Sequence, residues 1–139
     1  CGGFSVVKDI YKSDLYKLSE WRNENLPSFS AIKAKEVIPK NIITKEPTAE
    51  LKEDQKDSDS LPPYDVLDKI LYLLVEKESS INEIISKGYE PSLVTKVQNL
   101  LYNSEYKRRQ AAPGVKISER NFGYDRRYPI TNAFRDKEK

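Results

Sequence analysis

The chain contains no histidine, no methionine and a single cysteine in 139 residues. Without histidine it lacks the commonest general base at neutral pH and the commonest metal ligand. A lone thiol, Cys1, cannot close an internal disulfide, and no cysteine cluster is present to hold zinc. A reducing, cytoplasmic setting is therefore expected. No apolar run approaches the length of a membrane-spanning helix, so no membrane partner is expected. The formal net charge is only +2, so there is no overall basic field to gather nucleic acid. The missing methionine and the opening Cys1-Gly2-Gly3, which has no signal-peptide character, predict a piece of a longer chain without its N-terminal part.

What remains is a polar composition, 33% charged and 37% hydrophobic, with a length suited to one ordinary domain. The charge is unevenly placed. From Lys107 to Lys139 ten basic residues face four acidic ones, whereas from Glu46 to Ser60 six acidic residues face two basic ones. The second stretch reads as a solvated, mobile acidic loop or a metal-proximal one.

Four segments follow from periodicity and punctuation. Residues 1–26 centre on a helix from Val7 to about Asn25. It carries Ile10, Tyr11, Leu15, Leu18 and Arg22 near one face and is closed by Pro27. Residues 39–63 read as loop, with a short extended piece just before it at Val37-Ile38. Residues 64–109 form a helical region. Its first helix has a stripe of Val66, Leu67, Ile70, Leu71 and Leu74, with Asp65 and Asp68 in the first turn. Ser80-Ile81-Asn82-Glu83 is a capping-box pattern, Gly88 suits a C′ position and Pro91 an opening turn. The last helix shows Leu93, Val94, Val97, Leu100 and Leu101 on one side. Residues 110–139 are an irregular basic tail whose aromatic residues predict packing against its own domain or a partner subunit.

Two stretches invite a binding role. Ser80 to Leu101 has the outline of a helix-turn-helix, yet its second helix opens with Glu90, Pro91 and Ser92. That is a poor base-reading end, and an ordinary packed helix pair explains it as well. Tyr106-Lys107-Arg108-Arg109 puts three cations at a helix end before Pro113-Gly114 and Lys116. Such a cluster suits a phosphate-bearing ligand, or it is a solvated helix end complementing the macrodipole.

Three passages carry a resemblance. They are Gly2-Gly3-Phe4 with Val7-Lys8-Asp9-Ile10-Tyr11-Lys12; then Ile42-Ile43-Thr44-Lys45-Glu46-Pro47-Thr48-Ala49-Glu50-Leu51 running on to Ser60-Leu61-Pro62-Pro63-Tyr64-Asp65; then Glu105-Tyr106-Lys107-Arg108-Arg109-Gln110. With the tail Arg126-Arg127-Tyr128-Pro129-Ile130-Thr131-Asn132, the chain resembles the C-terminal part of the synthetase domain of glutamine-dependent NAD+ synthetases. The resemblance implies a Rossmann-like α/β ATP-pyrophosphatase domain (adenine nucleotide alpha hydrolase-like). This chain would be its mainly α C-terminal portion. It also implies an ATP-dependent amide ligase that converts deamido-NAD to NAD+ through an adenylated intermediate, with Mg2+ and with ammonia from glutamine. A homo-oligomer is implied as well.

Residue by residue, the resemblance places Lys12 and Thr48 at ATP, Thr48 on a lid formed by the 39–63 loop. It places Lys107 at deamido-NAD. Tyr106 stands where ammonia-dependent relatives usually have histidine, and Trp21 offers a flat face for the nicotinate ring or packs at a core or interface. No catalytic residue is assigned, because the family's SGG-x-DS loop would lie upstream. The metal ligands are unknown; Asp54, Asp57 and Asp59 either approach Mg2+ or merely solubilise the loop. The alternative from another class is a non-catalytic helical module that binds nucleic acid or protein.

Overall fold

Helix formation follows the local signals closely. The computed structural model describes residues 2–45 and 61–137. Its helices are α1 (Lys12–Glu24), α2 (Lys40–Thr44), α3 (Tyr64–Val75), α4 (Ile81–Ser86), α5 (Pro91–Asn103) and α6 (Glu105–Gln110). Among the described residues the only β pairing is an isolated parallel bridge between Ser5 and Gly114. The described chain is thus mainly α. It divides into two units, one of residues 1–10 and 65–139 and one of residues 11–64.

The larger unit holds the apolar core. Leu67, Ile70 and Val75 of α3, Ile81 and Ile84 of α4, and Val94, Val97 and Leu101 of α5 are buried. Side chains of this size contribute about 1.5–3 kcal/mol each when fully withdrawn from water. The Ser80 hydroxyl accepts from Glu83 N–H while the Glu83 carboxylate accepts from Ser80 N–H at 2.7 Å, which completes the capping box of α4. Gly88 follows with φ +95°, a value that favours glycine. The Glu90 carboxylate caps α5 by accepting from Ser92 and Leu93 N–H. Glu90 is therefore occupied at the end that would have to read bases, and α4 and α5 are a packed pair.

The α5 face differs from the expected stripe. Leu100 is exposed and Gln98 is buried in its place, so the inward positions are Val94, Val97, Gln98 and Leu101. These obey the i, i+3, i+4, i+7 spacing of a helix face; the polar Gln98 had concealed the register.

The tail is anchored by polar groups more than by its aromatic ones. Phe134 and Tyr124 stay largely exposed, whereas Asn121 and Arg126 are buried. The Arg126 guanidinium lies 4.9 Å from the Tyr102 ring centre and 4.2 Å from that of Tyr128. Burial pushes this guanidinium below its usual pKa range. The Arg135 guanidinium donates to Asn99 and Asn103 of α5 at 2.9 Å each, and Asp136 accepts from Ile81 N–H at 2.8 Å.

The smaller unit is built differently. No residue of α1 is buried, and Leu18 and Trp21 are about half exposed. The expected helix from Val7 begins only at Lys12, because residues 6–9 form turns. Those turns turn Asp9 toward the tail within the larger unit. After α1 the chain is shaped by polar clips. Arg22 donates to the carbonyls of Asn25 and Lys35, and Asn23 accepts from Val37 and Ile38 N–H at 3.0 Å each. Val37-Ile38 is therefore held by a side chain and forms no strand. Residues 40–44 form α2 where loop was expected. Pro39 supplies the accepting carbonyl for Ile42 N–H, which starts the helical turn.

Candidate functional site: a cation-lined pocket

The basic run at α6 separates into two kinds of side chain. Glu105 opens the helix and is almost fully buried. Its carboxylate accepts from Arg108 at 2.8 Å and from Arg109 at 3.4 Å. Burial alone would raise the Glu105 pKa, but the guanidinium of Arg108, aided by Arg109, holds it below the usual range. Arg108 also donates to Leu101 carbonyl oxygen at 2.6 Å, and Arg109 to Tyr128 carbonyl oxygen at 2.7 Å. Both arginines thus serve packing. Lys107 differs: it is exposed, and its ammonium makes no ion pair or hydrogen bond among the described residues.

Lys107 borders a pocket of about 340 Å3 that it shares with Lys8, Arg108, Asn121, Phe122 and Gly123. Lys8 donates to Ala112 carbonyl oxygen at 2.8 Å and lies 5.8 Å from the Tyr124 ring centre. The Arg108 Nε–H on the same wall is buried and has no partner. Three cationic side chains, with the Lys107 ammonium unspent, form a wall suited to phosphate or carboxylate oxygens.

The pocket depends on a tie between distant parts of the larger unit. Ser5 N–H donates to Pro113 carbonyl oxygen at 2.8 Å. The buried Asp9 carboxylate accepts from Ile117 N–H at 2.7 Å, Ser118 N–H at 2.8 Å and the Ser118 hydroxyl at 2.8 Å. Burial opposes ionisation of Asp9, yet these donors leave its pKa lowered. A Cβ on Gly114 would fall inside contact distance of Ser5 carbonyl oxygen and 3.0 Å from Lys8 Cβ. Glycine is required there for close approach.

The residues expected at the site are distributed as follows. Lys107 and Tyr106 share α6 in the larger unit, with Tyr106 partly exposed. Lys12 and Trp21 belong to α1 of the smaller unit. The Lys12 ammonium lies 5.9 Å from the ring centres of both Tyr16 and Tyr64, and Trp21 is no core residue. Thr48, Asp54, Asp57 and Asp59 lie outside the described residues. Among the described residues no three Asp, Glu, His or Cys side chains group to hold a metal ion, and no helix is long and apolar enough to cross a membrane.

Sequence reading missed two participants. Lys8 reads as a solvated lysine like Lys17. Lys17 is indeed an exposed partner of Asp14 at 3.0 Å, but Lys8 reaches a carbonyl 104 residues away. Nothing local signals that. Glu105 could have been found, because its spacing to Arg108 and Arg109 is i,i+3 and i,i+4.

Comparison with known proteins places this geometry in context. The family model described as NAD synthase matches residues 1–111. The chain is 50% identical over 135 residues to the glutamine-dependent NAD(+) synthetase of Xylella fastidiosa, covering 97% of this chain and 24% of that protein. The corresponding protein of Thermotoga maritima is 49% identical, with 97% and 22% covered. Among solved structures, the glutamine-dependent NAD+ synthetase of Acinetobacter baumannii in complex with ADP aligns with a TM-score of 0.54 and 38% identity. That alignment covers 94% of this chain and 21% of the other. The chain therefore spans about a quarter of the length of these relatives.

Proposed function

Since the chain belongs to the NAD synthase family, we propose that it forms part of the substrate-binding surface of a glutamine-dependent NAD+ synthetase. The reaction joins ammonia, released from glutamine, to the nicotinate carboxylate of deamido-NAD after ATP has activated that carboxylate by adenylation. Pyrophosphate leaves in the first step, and AMP leaves in the second. The chain would complete a Rossmann-like α/β domain as its helical C-terminal portion, working in the cytoplasm within a homo-oligomer.

The observation that carries this reading is the division of labour in α6. Arg108 and Arg109 are spent on Glu105 and on backbone carbonyls, while the Lys107 ammonium is left at the mouth of a cationic pocket. An ammonium with no competing partner is free to pair with anionic oxygen. Lys107 is accordingly assigned to deamido-NAD, with Tyr106 beside it as a hydrogen-bond donor or stacking face. Lys12 is assigned to ATP phosphate, where negative charge shifts toward pyrophosphate during adenylation. Thr48 is assigned to a lid over ATP, and Trp21 to the nicotinate ring. One relative was solved in complex with ADP, which is consistent with use of an adenine nucleotide by the proposed enzyme. Among the described residues no group of three Asp, Glu, His or Cys side chains stands ready for Mg2+, and no step here runs through it.

The test is Lys107→Ala in the full-length protein. The expected result is a raised KM for deamido-NAD or a lowered turnover, with an unchanged melting temperature, because the Lys107 side chain is exposed and its ammonium has no partner among the described residues. Equal kinetics for mutant and wild type would remove Lys107 from the site. The non-catalytic module is not favoured. Its helix-turn-helix outline is a packed pair whose second helix opens on an occupied glutamate.

A further inference from the structure

Helix α6 carries Lys107 but has little means of holding itself in place. It is six residues long, and isolated helices shorter than about 12–15 residues are marginal in water. Ser104 alone separates it from α5, and no side chain caps its first turn. Its order therefore depends on ties to the rest of the larger unit. Towards α5, Arg108 donates to Leu101 carbonyl oxygen at 2.6 Å. At the far end of α6, Arg109 donates to Tyr128 carbonyl oxygen at 2.7 Å, which fixes that end to the tail backbone.

The tail is fixed in turn to α5. The Tyr128 ring centre lies 5.2 Å from that of Tyr102, and the Arg126 guanidinium lies against both rings. Further along, the Arg135 guanidinium lies 4.9 Å from the same Tyr102 ring centre. It donates to Asn99 through Nε and to Asn103 through Nη2, at 2.9 Å each. Those asparagines are i,i+4 neighbours on α5, so a planar fork of donors meets two acceptors one helical turn apart.

We propose that residues 126–135 form a brace that sets the position of α6, and that Arg135 is a positioning residue for the Lys107 ammonium in deamido-NAD binding. The contacts run from Asn99 and Asn103 through Arg135 to the tail backbone, then through Tyr128 carbonyl oxygen to Arg109, and within α6 to Lys107. With the brace cut, α6 keeps its own ion pairs and the Arg108 tie, but its far end loses its anchor. The ammonium then samples more positions, and binding has to order it again at an entropic cost. That cost falls on deamido-NAD and spares ATP, which is assigned to Lys12 of the smaller unit. This inference rests on the assignment of Lys107 to deamido-NAD.

A double-mutant cycle in steady-state kinetics of the full-length protein tests it. Re-ordering one long side chain on binding should raise KM for deamido-NAD by about threefold to tenfold in Arg135→Ala, with KM for ATP held within about twofold. Arg135→Lys, which can meet one asparagine but not both, should fall between wild type and alanine. In the Lys107→Ala background Arg135→Ala should add nothing, because a positioning residue has no effect once the group it positions is gone. A merely structural role does not give this pattern, since loss of folded enzyme lowers turnover and leaves KM unchanged. Full additivity, an equal rise in both KM values, or wild-type KM in Arg135→Ala would overturn the proposal. Hydrogen exchange separates it from the reading beneath it: α6 amides should exchange about threefold faster or more in Arg135→Ala, and unchanged protection would overturn the brace whatever the kinetics. Failure of the wild-type enzyme to make NAD+ from deamido-NAD would overturn the parent reading and the role of Lys107 with it, while the exchange result stands on its own. Should Arg135→Ala fail to fold, Arg109→Ala cuts the same path at its other end, with the same expected results.

Discussion

Asp9 offers a sharp test of how the Lys107 pocket is held. Its carboxylate receives two backbone N–H groups and a hydroxyl, all within 3.0 Å, in a nearly sealed setting. Replacing Asp9 by alanine strips Ile117 and Ser118 of their acceptor. An orphaned buried donor costs about 1–3 kcal/mol, and because Ile117 is 63% exposed and water takes up part of the loss, the two together cost roughly 2 kcal/mol. Asp9→Asn keeps one accepting oxygen and turns an NH2 group against the remaining donor, for about half that loss. Amide hydrogen exchange across residues 112–120 of the full-length protein reads this directly. At about 1.4 kcal/mol per decade, alanine should speed exchange at Ile117 and Ser118 by one to two orders of magnitude if that segment opens locally. The pH dependence adds a second reading. The Asp9 pKa is lowered from the ordinary 3.8 in the folded protein. Its contribution is therefore complete above that ordinary value and is lost as pH falls through the lower folded value. The stability gap between wild type and Asp9→Asn should be flat from neutral pH down to about pH 5 and close in stronger acid. Exchange protection unchanged within about threefold in Asp9→Ala, or a gap that closes near neutral pH, would refute the account.

Three further outcomes follow from the same geometry. Glu105→Gln leaves Arg108 without its counter-charge and should destabilise the protein by about 1–3 kcal/mol, seen as a lower urea midpoint. Gly114→Ala would push the new methyl against Ser5 carbonyl oxygen and the Lys8 side chain. It should lower the melting temperature and weaken binding of an anionic ligand at the Lys107 pocket, measured by thermal scanning and calorimetry. Ser80→Ala removes the cap of α4 and should cost about 0.5–2 kcal/mol in a denaturant titration, with no effect on substrate KM.

Which features were legible depended on sequence distance. The α4 capping box, the Gly88 terminus and the Pro91 opening are contracts among neighbours, and each is met. The α5 face was rotated in the reading because Gln98 carries a polar group, and only three-dimensional packing shows that it faces inward. The first helix was drawn too long because Val7 and Ile10 extend the apolar spacing. The competing demand on Asp9 comes from residues 117 and 118, far beyond any local window. The same reason hides Lys8 at the pocket. The basic run illustrates a different limit. Three adjacent cations look equivalent in one dimension, but helix geometry turns Arg108 and Arg109 toward Glu105 and leaves Lys107 outward.

The knot joining Asp9 to residues 117 and 118 also sets an order of events during synthesis. The larger unit is interrupted by residues 11–64, so its first ten residues emerge long before their mates. At about 5–20 residues per second, a ribosome needs roughly 5–20 seconds to supply residue 118 after residue 9. For that interval the aspartate, Lys8 and Ser5 have no native companions. Closure of this unit is a late step, timed by translation as much as by chain diffusion.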